Sequence, residues 1–129
     1  MKNGATRKDV LAYAKKTYGT VEEYLFADSP MCAVLRREDN GKWYGIVMDV
    51  KRSSLFLTND QTKVDVLNVK VDPAALFDLL GEKGILPAYH MSKSHWISIL
   101  LDGSVDREFV YALMRMSRRM TAPKSKKSK

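Results

Sequence analysis

The dipeptide Asn40-Gly41 is the feature that most constrains the fold of this 129-residue chain. Both residues tolerate the positive φ angles of a type I′ turn, the favoured two-residue connection of a β-hairpin. Apolar residues alternate with other residues on either side, so we predict a hairpin with Asn40-Gly41 as its loop. In that register Leu35 faces Ile46. The predicted core face of the hairpin then comprises Ala33, Leu35, Tyr44, Ile46, Met48 and Val50.

Helices are predicted near both ends of the chain. Apolar residues recur at helical spacing after Thr6, and Gly19 is a typical residue just past the end of a helix. A second amphipathic pattern covers about residues 106–120, with a group of arginines toward its C-terminal end. We therefore expect an N-terminal and a C-terminal helix, each with one apolar side available for packing.

Between these helices the pattern predicts strands around a middle helix. A strand is expected over about residues 63–71, and Asp72-Pro73 then supplies an N-cap and a proline at the first helical position. Alternation over residues 95–101 predicts a further strand. The expected fold class is α+β, an antiparallel β-sheet with N-terminal, middle and C-terminal helices packed mainly on one face. The apolar side of the middle helix is predicted as Leu76, Phe77 and Leu80.

The composition is that of one globular domain, with 45% hydrophobic and 29% charged residues. We expect a single domain over residues 1–121 and a disordered basic tail over residues 122–129. The single cysteine, Cys32, excludes an internal disulfide and fits a reducing compartment. Because the chain has neither a signal-peptide pattern nor an apolar run of membrane length, we expect a cytoplasmic protein, monomeric and without a membrane partner.

The net charge of +7 is concentrated toward the two ends of the chain, whereas the middle is mildly acidic. The tail contributes Lys124, Lys126, Lys127 and Lys129. Such a segment attracts phosphates without reading a base sequence, so DNA is one expected partner. Solubility explains the tail equally well.

Both histidines, His90 and His95, lie in the segment LPAYHMSKSHW (residues 86–96). Five residues apart, their rings diverge on a strand and on a helix, and Cys32 is distant in sequence. We therefore expect no metal site, although a loop that brought both rings together would leave this possibility open. No nucleophile elbow, phosphate-binding loop or dinucleotide-binding fingerprint is present, so neither an enzyme nor a cofactor is expected.

Three segments of the chain together resemble the MmcQ/YjbR family: KWYGIVMDV (42–50), DVLNVKVDP (65–73) and LPAYHMSKSHWISILLDGSV (86–105). The resemblance covers about residues 6–120. It implies a CyaY-like (frataxin-like) domain, often named a double-wing domain, in a bacterial protein whose proposed role is DNA binding. The Lys-rich tail departs from what the family leads us to expect.

The family pattern carries over onto His90, Met91, Ser92, Lys93, His95 and Trp96, onto Asn68, Val69 and Lys70, and onto Trp43 and Tyr44. A frataxin-like shape also suggests iron handling, which requires many carboxylates on one ridge. The predicted N-terminal helix is basic and holds only one acidic residue, Asp9. We therefore expect no iron binding.

The nucleic-acid hypothesis assigns phosphate contacts to cations and a stacking face to an aromatic ring. Glu38 and Asp39, beside the hairpin turn, oppose it by repelling phosphate. The residues assigned are Lys42, Lys51, Arg52, His90, Lys93, His95, Trp96, Arg118 and Arg119.

A structural role is the competing interpretation for several of these residues. His95 shares strand parity with Ile97, so we expect it to lean toward the core. Cations near a helix C-terminus favour the dipole without any ligand. The alternative function is a protein- or small-molecule-binding module that uses the edge Tyr89–Trp96 as a groove and does not bind nucleic acid.

Overall fold

The computed structural model describes residues 3–123. Asp72 caps the middle helical segment as predicted, because its side chain accepts a hydrogen bond of 2.9 Å from the backbone N–H of Ala74. In chain order the elements are β1 (Gly4–Thr6), α1 (Arg7–Tyr18), β2 (Ala33–Arg36), β3 (Trp43–Lys51), α2 (Arg52–Leu55), β4 (Lys63–Lys70), a 3-10 turn (Pro73–Ala75), α3 (Leu76–Leu80), β5 (Ile85–Pro87), β6 (Trp96–Leu100), β7 (Asp102–Asp106) and α4 (Arg107–Met120).

The main sheet has five antiparallel strands in the order β2-β3-β4-β6-β5, and β1 pairs separately with β7. The helices α1, α3 and α4 pack against one face of the main sheet, which we call the helix face. The predicted α+β fold, with its N-terminal, middle and C-terminal helices on one face, is confirmed. The principal core on this face includes Val10, Ala14, Val47, Leu67, Val69, Ile97, Ile99, Val110, Leu113 and Met114.

The β2–β3 hairpin forms, but its loop is longer than predicted. The backbone N–H of Arg37 donates to the carbonyl of Lys42 at 2.8 Å, which leaves residues 38–41 in the loop. Gly41 has a positive φ of 75°, whereas Asn40 does not. A type I′ turn requires positive φ at both central residues, so the prediction of a two-residue loop was wrong.

The longer loop changes the strand register and the faces that follow from it. Leu35 pairs with Gly45 and not with Ile46, and a bulge interrupts the ladder after Leu35. A slip of one residue turns side chains to the other face of a sheet. Of the predicted core face, Ala33, Leu35 and Tyr44 lie in the helix-face core, whereas Ile46, Met48 and Val50 pack in clusters on the opposite face.

The opposite face of the sheet, which we call the loop face, is covered by connecting segments and by the short helix α2. Two apolar clusters form there, one around Val66 and Leu100 and the other around Cys32 and Val34. Tyr89 packs against the first cluster and Met91 against the second. The segment 88–95 therefore lies across the loop face instead of extending beyond the sheet.

The middle helix differs from its prediction in one residue. Phe77 is 88% exposed, because α3 has only five residues and packs through Leu76, Leu79 and Leu80. Within residues 3–123 no helix combines the length and the apolar character needed to cross a membrane. Most of the predicted tail, residues 124–129, lies outside the described part of the chain.

Candidate functional site

The nine residues assigned to nucleic-acid contact do not form one patch. Lys42 precedes β3, whereas Lys51 ends β3 and Arg52 begins α2. A strand rises about 3.3 Å per residue, so Lys42 and Lys51 lie about 30 Å apart at opposite ends of the sheet. The remaining assigned residues divide between the Lys42 end of the sheet and the loop face.

Side-chain hydrogen bonds assemble the Lys42 end of the sheet. Arg37 donates from Nη1 to the carbonyl of Arg118 at 2.8 Å, and Asn40 donates from Nδ2 to the carbonyl of Thr121 at 2.8 Å. The carbonyls in the last turn of a helix have no partner within the helix, so these side chains cap α4. The hairpin loop is thereby fixed against the C-terminal end of α4.

The ends of β4 and β6 adjoin the same helix terminus. The backbone N–H of Lys70 donates to Ser117 Oγ at 2.9 Å, and Lys70 pairs with Trp96 across the ladder. Val71 donates its N–H to the carbonyl of His95 at 2.8 Å. We call this surface the basic end and define it as Lys42, Lys70, His95, Trp96, Arg118 and Arg119.

Members of the basic end differ in their accessibility. Lys42, His95 and Arg119 are exposed, whereas Lys70 and Trp96 are half-buried. The expected core position of His95 was wrong: β6 begins one residue later, and the His95 ring contacts Ser94 Oγ at 2.9 Å on the surface. Strand parity does not apply to His95, because this residue belongs to the turn before the strand.

Arg118 has a structural role that the sequence did not reveal. Its guanidinium lies over the ring of Tyr18, 4.4 Å from the centroid, and 4.9 Å from that of Tyr44. Cation–π contacts of this kind hold α4 against α1 and β3. Burial, together with the neighbouring Tyr13, raises the pKa of Tyr18 to about 12. Arg118 is thus half-buried and committed to internal packing.

The carboxylates beside the hairpin turn are partly neutralised. Arg37 donates to both carboxylate oxygens of Asp39, at 2.9 and 2.7 Å. These hydrogen bonds lower the pKa of Asp39, which therefore stays ionised and paired at neutral pH. Glu38, in the same hairpin loop, remains as an exposed carboxylate.

The opposite end of the sheet carries charges of both signs. Hydrogen bonds from Thr62 lower the pKa of Asp60, and the positive charge of Arg52 lowers it further. Lys63 lies 3.5 Å from Asp49 in an ion pair. Lys51 and Arg52 therefore do not form an anion-binding surface of one sign.

His90 and Lys93 belong to a loop that buried polar groups attach to the sheet. Asn68 donates to the carbonyl of Tyr89 at 2.9 Å, and the N–H of Tyr89 donates to Ser98 Oγ at 2.9 Å. Ser98 also donates to Asn68 Oδ1, and both residues are fully buried. This network explains why the apolar strands β4 and β6 each have a polar residue in the middle. These two polar residues are the sequence signal from which the network could have been predicted.

The loop itself is tightly constrained. Among residues 3–123, His90 is the only non-glycine residue with a positive φ, at 60°. Lys93 donates from Nζ to the carbonyl of Ala88 at 2.9 Å and closes the loop. A non-glycine residue in the left-handed region is uncommon, and such residues cluster at functional sites.

Two clefts of the loop face meet at Tyr89 and His90. The larger, about 350 Å³, has walls of Leu55, Leu86, Pro87 and Tyr89, and its polar lining is Ser54, His90 and Lys93; we call it the Tyr89 cleft. The smaller, about 200 Å³, is lined on its other side by Phe26, Cys32, Met48 and Asp49. Sequence patterns missed Ser54 and Leu55, because α2 has too few residues to show a helical period.

Groups that could bind a metal or act as a nucleophile are sparse in the described chain. Within residues 3–123 there is no group of three or more His, Cys, Asp or Glu side chains placed to hold a metal ion. Cys32 is buried, and burial raises the pKa of its thiol, so the thiolate is disfavoured at neutral pH.

Comparison with other proteins gives one consistent result. The sequence model of the YjbR family matches residues 15–120. The uncharacterised protein YyaQ of Bacillus subtilis is 38% identical over 116 residues, which are 90% of this chain and 98% of YyaQ.

Solved structures agree with this match. The crystal structure of a Pseudomonas syringae protein aligns with a TM-score of 0.86 at 36% identity, over 91% of this chain and 99% of that chain. A Deinococcus radiodurans protein aligns with a TM-score of 0.71 at 22% identity, over 97% and 86% of the two chains, and shares the fold. The chain belongs to the YjbR (MmcQ/YjbR) family.

Proposed function

We propose that this protein binds DNA without catalysis, by contacts between the basic end and phosphate groups. The observation that carries the proposal is the attachment of the hairpin loop to α4, in which Arg37 and Asn40 donate to the carbonyls of Arg118 and Thr121. This attachment fixes the loop that precedes Lys42 against the last turn of α4, which carries the exposed Arg119. Cations from separate parts of the chain thus belong to the same end of the sheet.

The neighbours of these cations support a phosphate contact. Asp39 is paired with Arg37, so it repels an approaching phosphate less than a free carboxylate does. Trp96 lies in register beside Lys70 and is only half-buried, and an aromatic residue of this kind can stack on a base. In the sequence, four further lysines follow α4 within residues 124–129.

Equilibrium binding of a short labelled DNA duplex to the full chain, measured at several salt concentrations, tests the proposal. The test variant replaces Lys42, Lys70 and Arg119 with glutamine. A plot of log K against log salt has a negative slope, and each phosphate contact removed should make it less steep by about 0.9. For the triple variant we therefore expect weaker binding and a slope that is less steep by about 2 to 3.

A matched control removes the same charge elsewhere by replacing the exposed lysines Lys8, Lys51 and Lys83 with glutamine. It should bind duplex nearly as well as the parent chain. Equal losses for both variants would mean that net charge alone accounts for binding. No measurable binding by the parent chain at about 50 mM salt would end the proposal.

A further inference from the structure

The Tyr89 cleft differs from the basic end in position and in chemistry. Its walls are apolar, formed by Leu55, Leu86, Pro87 and Tyr89, and its volume is about 350 Å³. Pockets that bind small molecules enclose roughly 300 to 1,000 Å³ and combine apolar walls with a few polar groups. A cleft of this volume admits one small molecule and is too small for a nucleic-acid duplex.

Among residues 3–123, the polar groups that line the cleft include a cation but no anion. Lys93 and His90 line it together with the hydroxyl of Ser54, and none of the described residues that line it carries a carboxylate. Lys93 uses one donor on the carbonyl of Ala88 at 2.9 Å, which leaves two of its three N–H donors for another acceptor. Asp49 belongs to the neighbouring cleft, on the far side of His90.

The cleft is formed in advance of any ligand. Its wall at Tyr89 is held by the buried side chains of Asn68 and Ser98. Its opposite wall, α2, is held where the N–H groups of Arg52 and Ser53 donate to the carbonyls of Thr62 and Asp60, both at 2.9 Å. A pre-organised site binds more tightly because little ordering remains to be done on binding.

We propose that the Tyr89 cleft binds a small molecule that has one anionic group, a carboxylate or a phosphate, attached to an apolar body. Lys93 and the Ser54 hydroxyl contact the anionic group, and the apolar body packs between Leu55, Leu86 and Tyr89. His90 is held at a φ of 60° and lines both this cleft and the neighbouring cleft, which contains Asp49. This site is separate from the basic end and does not depend on DNA binding.

The test is a series of ¹⁵N–¹H correlation spectra of the full chain during titration with phenyl phosphate, phenylacetate, benzyl alcohol or inorganic phosphate. We expect saturable shifts for the amides of Ser54, Tyr89 and His90 with phenyl phosphate, phenylacetate or both. Which of these two probes binds identifies the anionic group. Benzyl alcohol lacks the charge and inorganic phosphate lacks the apolar body, so both should bind at least about tenfold more weakly.

The variant Lys93→Met keeps an apolar stem and removes the ammonium, and Lys83→Met makes the same change at an exposed position elsewhere. Lys93→Met should weaken phenyl phosphate or phenylacetate binding about tenfold, whereas Lys83→Met should not change it. Equal binding of benzyl alcohol would overturn the ligand class. Unchanged binding by Lys93→Met, or no saturable shift with any probe, would overturn the site. None of these outcomes bears on duplex binding at the basic end.

Discussion

Arg37 donates a hydrogen bond of 2.8 Å to the carbonyl of Arg118, a residue 81 positions later in the chain. The Arg37 side chain is 11% exposed and also pairs with Asp39 at 2.7 Å. One side chain therefore fastens the hairpin loop, caps α4 and partly neutralises a carboxylate. Together with the hydrogen bond from Asn40 to Thr121, this contact holds the hairpin loop at the basic end.

Replacement of Arg37 with methionine should lower the free energy of unfolding by about 1 to 3 kcal/mol, because the carbonyl of Arg118 loses a charged donor. Urea denaturation measures the change. Arg36→Met is the control, since Arg36 makes an exposed ion pair with Glu23 at 2.7 Å. An exposed pair is worth less than about 1 kcal/mol. Equal losses for the two variants would show that the contact with Arg118 does not stabilise the fold.

Replacement of Asn68 with alanine should cost about 2 kcal/mol or more, because the carbonyl of Tyr89 and the hydroxyl of Ser98 lose a buried partner. Thermal or urea unfolding measures the cost, and Asn59→Ala is the exposed control. The same substitution should weaken probe binding in the Tyr89 cleft, since Asn68 holds one wall. Full stability of Asn68→Ala would contradict the importance of the network.

Deprotonation of Tyr18 should lower the free energy of unfolding at high pH. Its pKa is raised by burial to about 12 in the folded chain, against about 10 in an unfolded chain. Both states are protonated below pH 10, so the contribution to stability is complete there. As the pH rises from about 10 to about 12, the unfolded chain loses the proton first and the free energy of unfolding decreases.

The variant Tyr18→Phe removes the titrating group. Its free energy of unfolding should therefore decrease less than that of the parent chain between about pH 10 and about pH 12. Tyr89→Phe, which removes a hydroxyl on the loop face away from Tyr18, is the control. If Tyr18→Phe keeps the full decrease, the proton of Tyr18 is not coupled to folding.

Features encoded by neighbouring residues were predictable from the sequence. Asp72 caps the middle helical segment through Ala74, and Gly19 ends α1 with a positive φ of 70°, because each effect involves only a few consecutive residues. The alternation of apolar and polar residues in β4 and β6 likewise predicted two of the strands from which the α+β fold class was inferred. A resemblance to the MmcQ/YjbR family gave the same architecture independently.

Features that depend on distant residues were not predictable. The hairpin loop has four residues instead of two because it reaches α4, a contact that no local turn preference contains. Asn68 and Ser98 are 30 residues apart in sequence and meet only when β4 pairs with β6. Lys42 and Lys51 looked like parts of one surface in the sequence, but β3 separates them. Cleft residues such as Ser54 came from an element too short to predict.

The capping of α4 by the hairpin loop also protects the end of that helix. Helix termini tend to fray, because the carbonyls of the last turn have no partner within the helix. Arg37 and Asn40 hold the carbonyls of Arg118 and Thr121, so the last turn of α4 cannot unwind without releasing the loop. Local opening of the helix end and of the loop is therefore a single event.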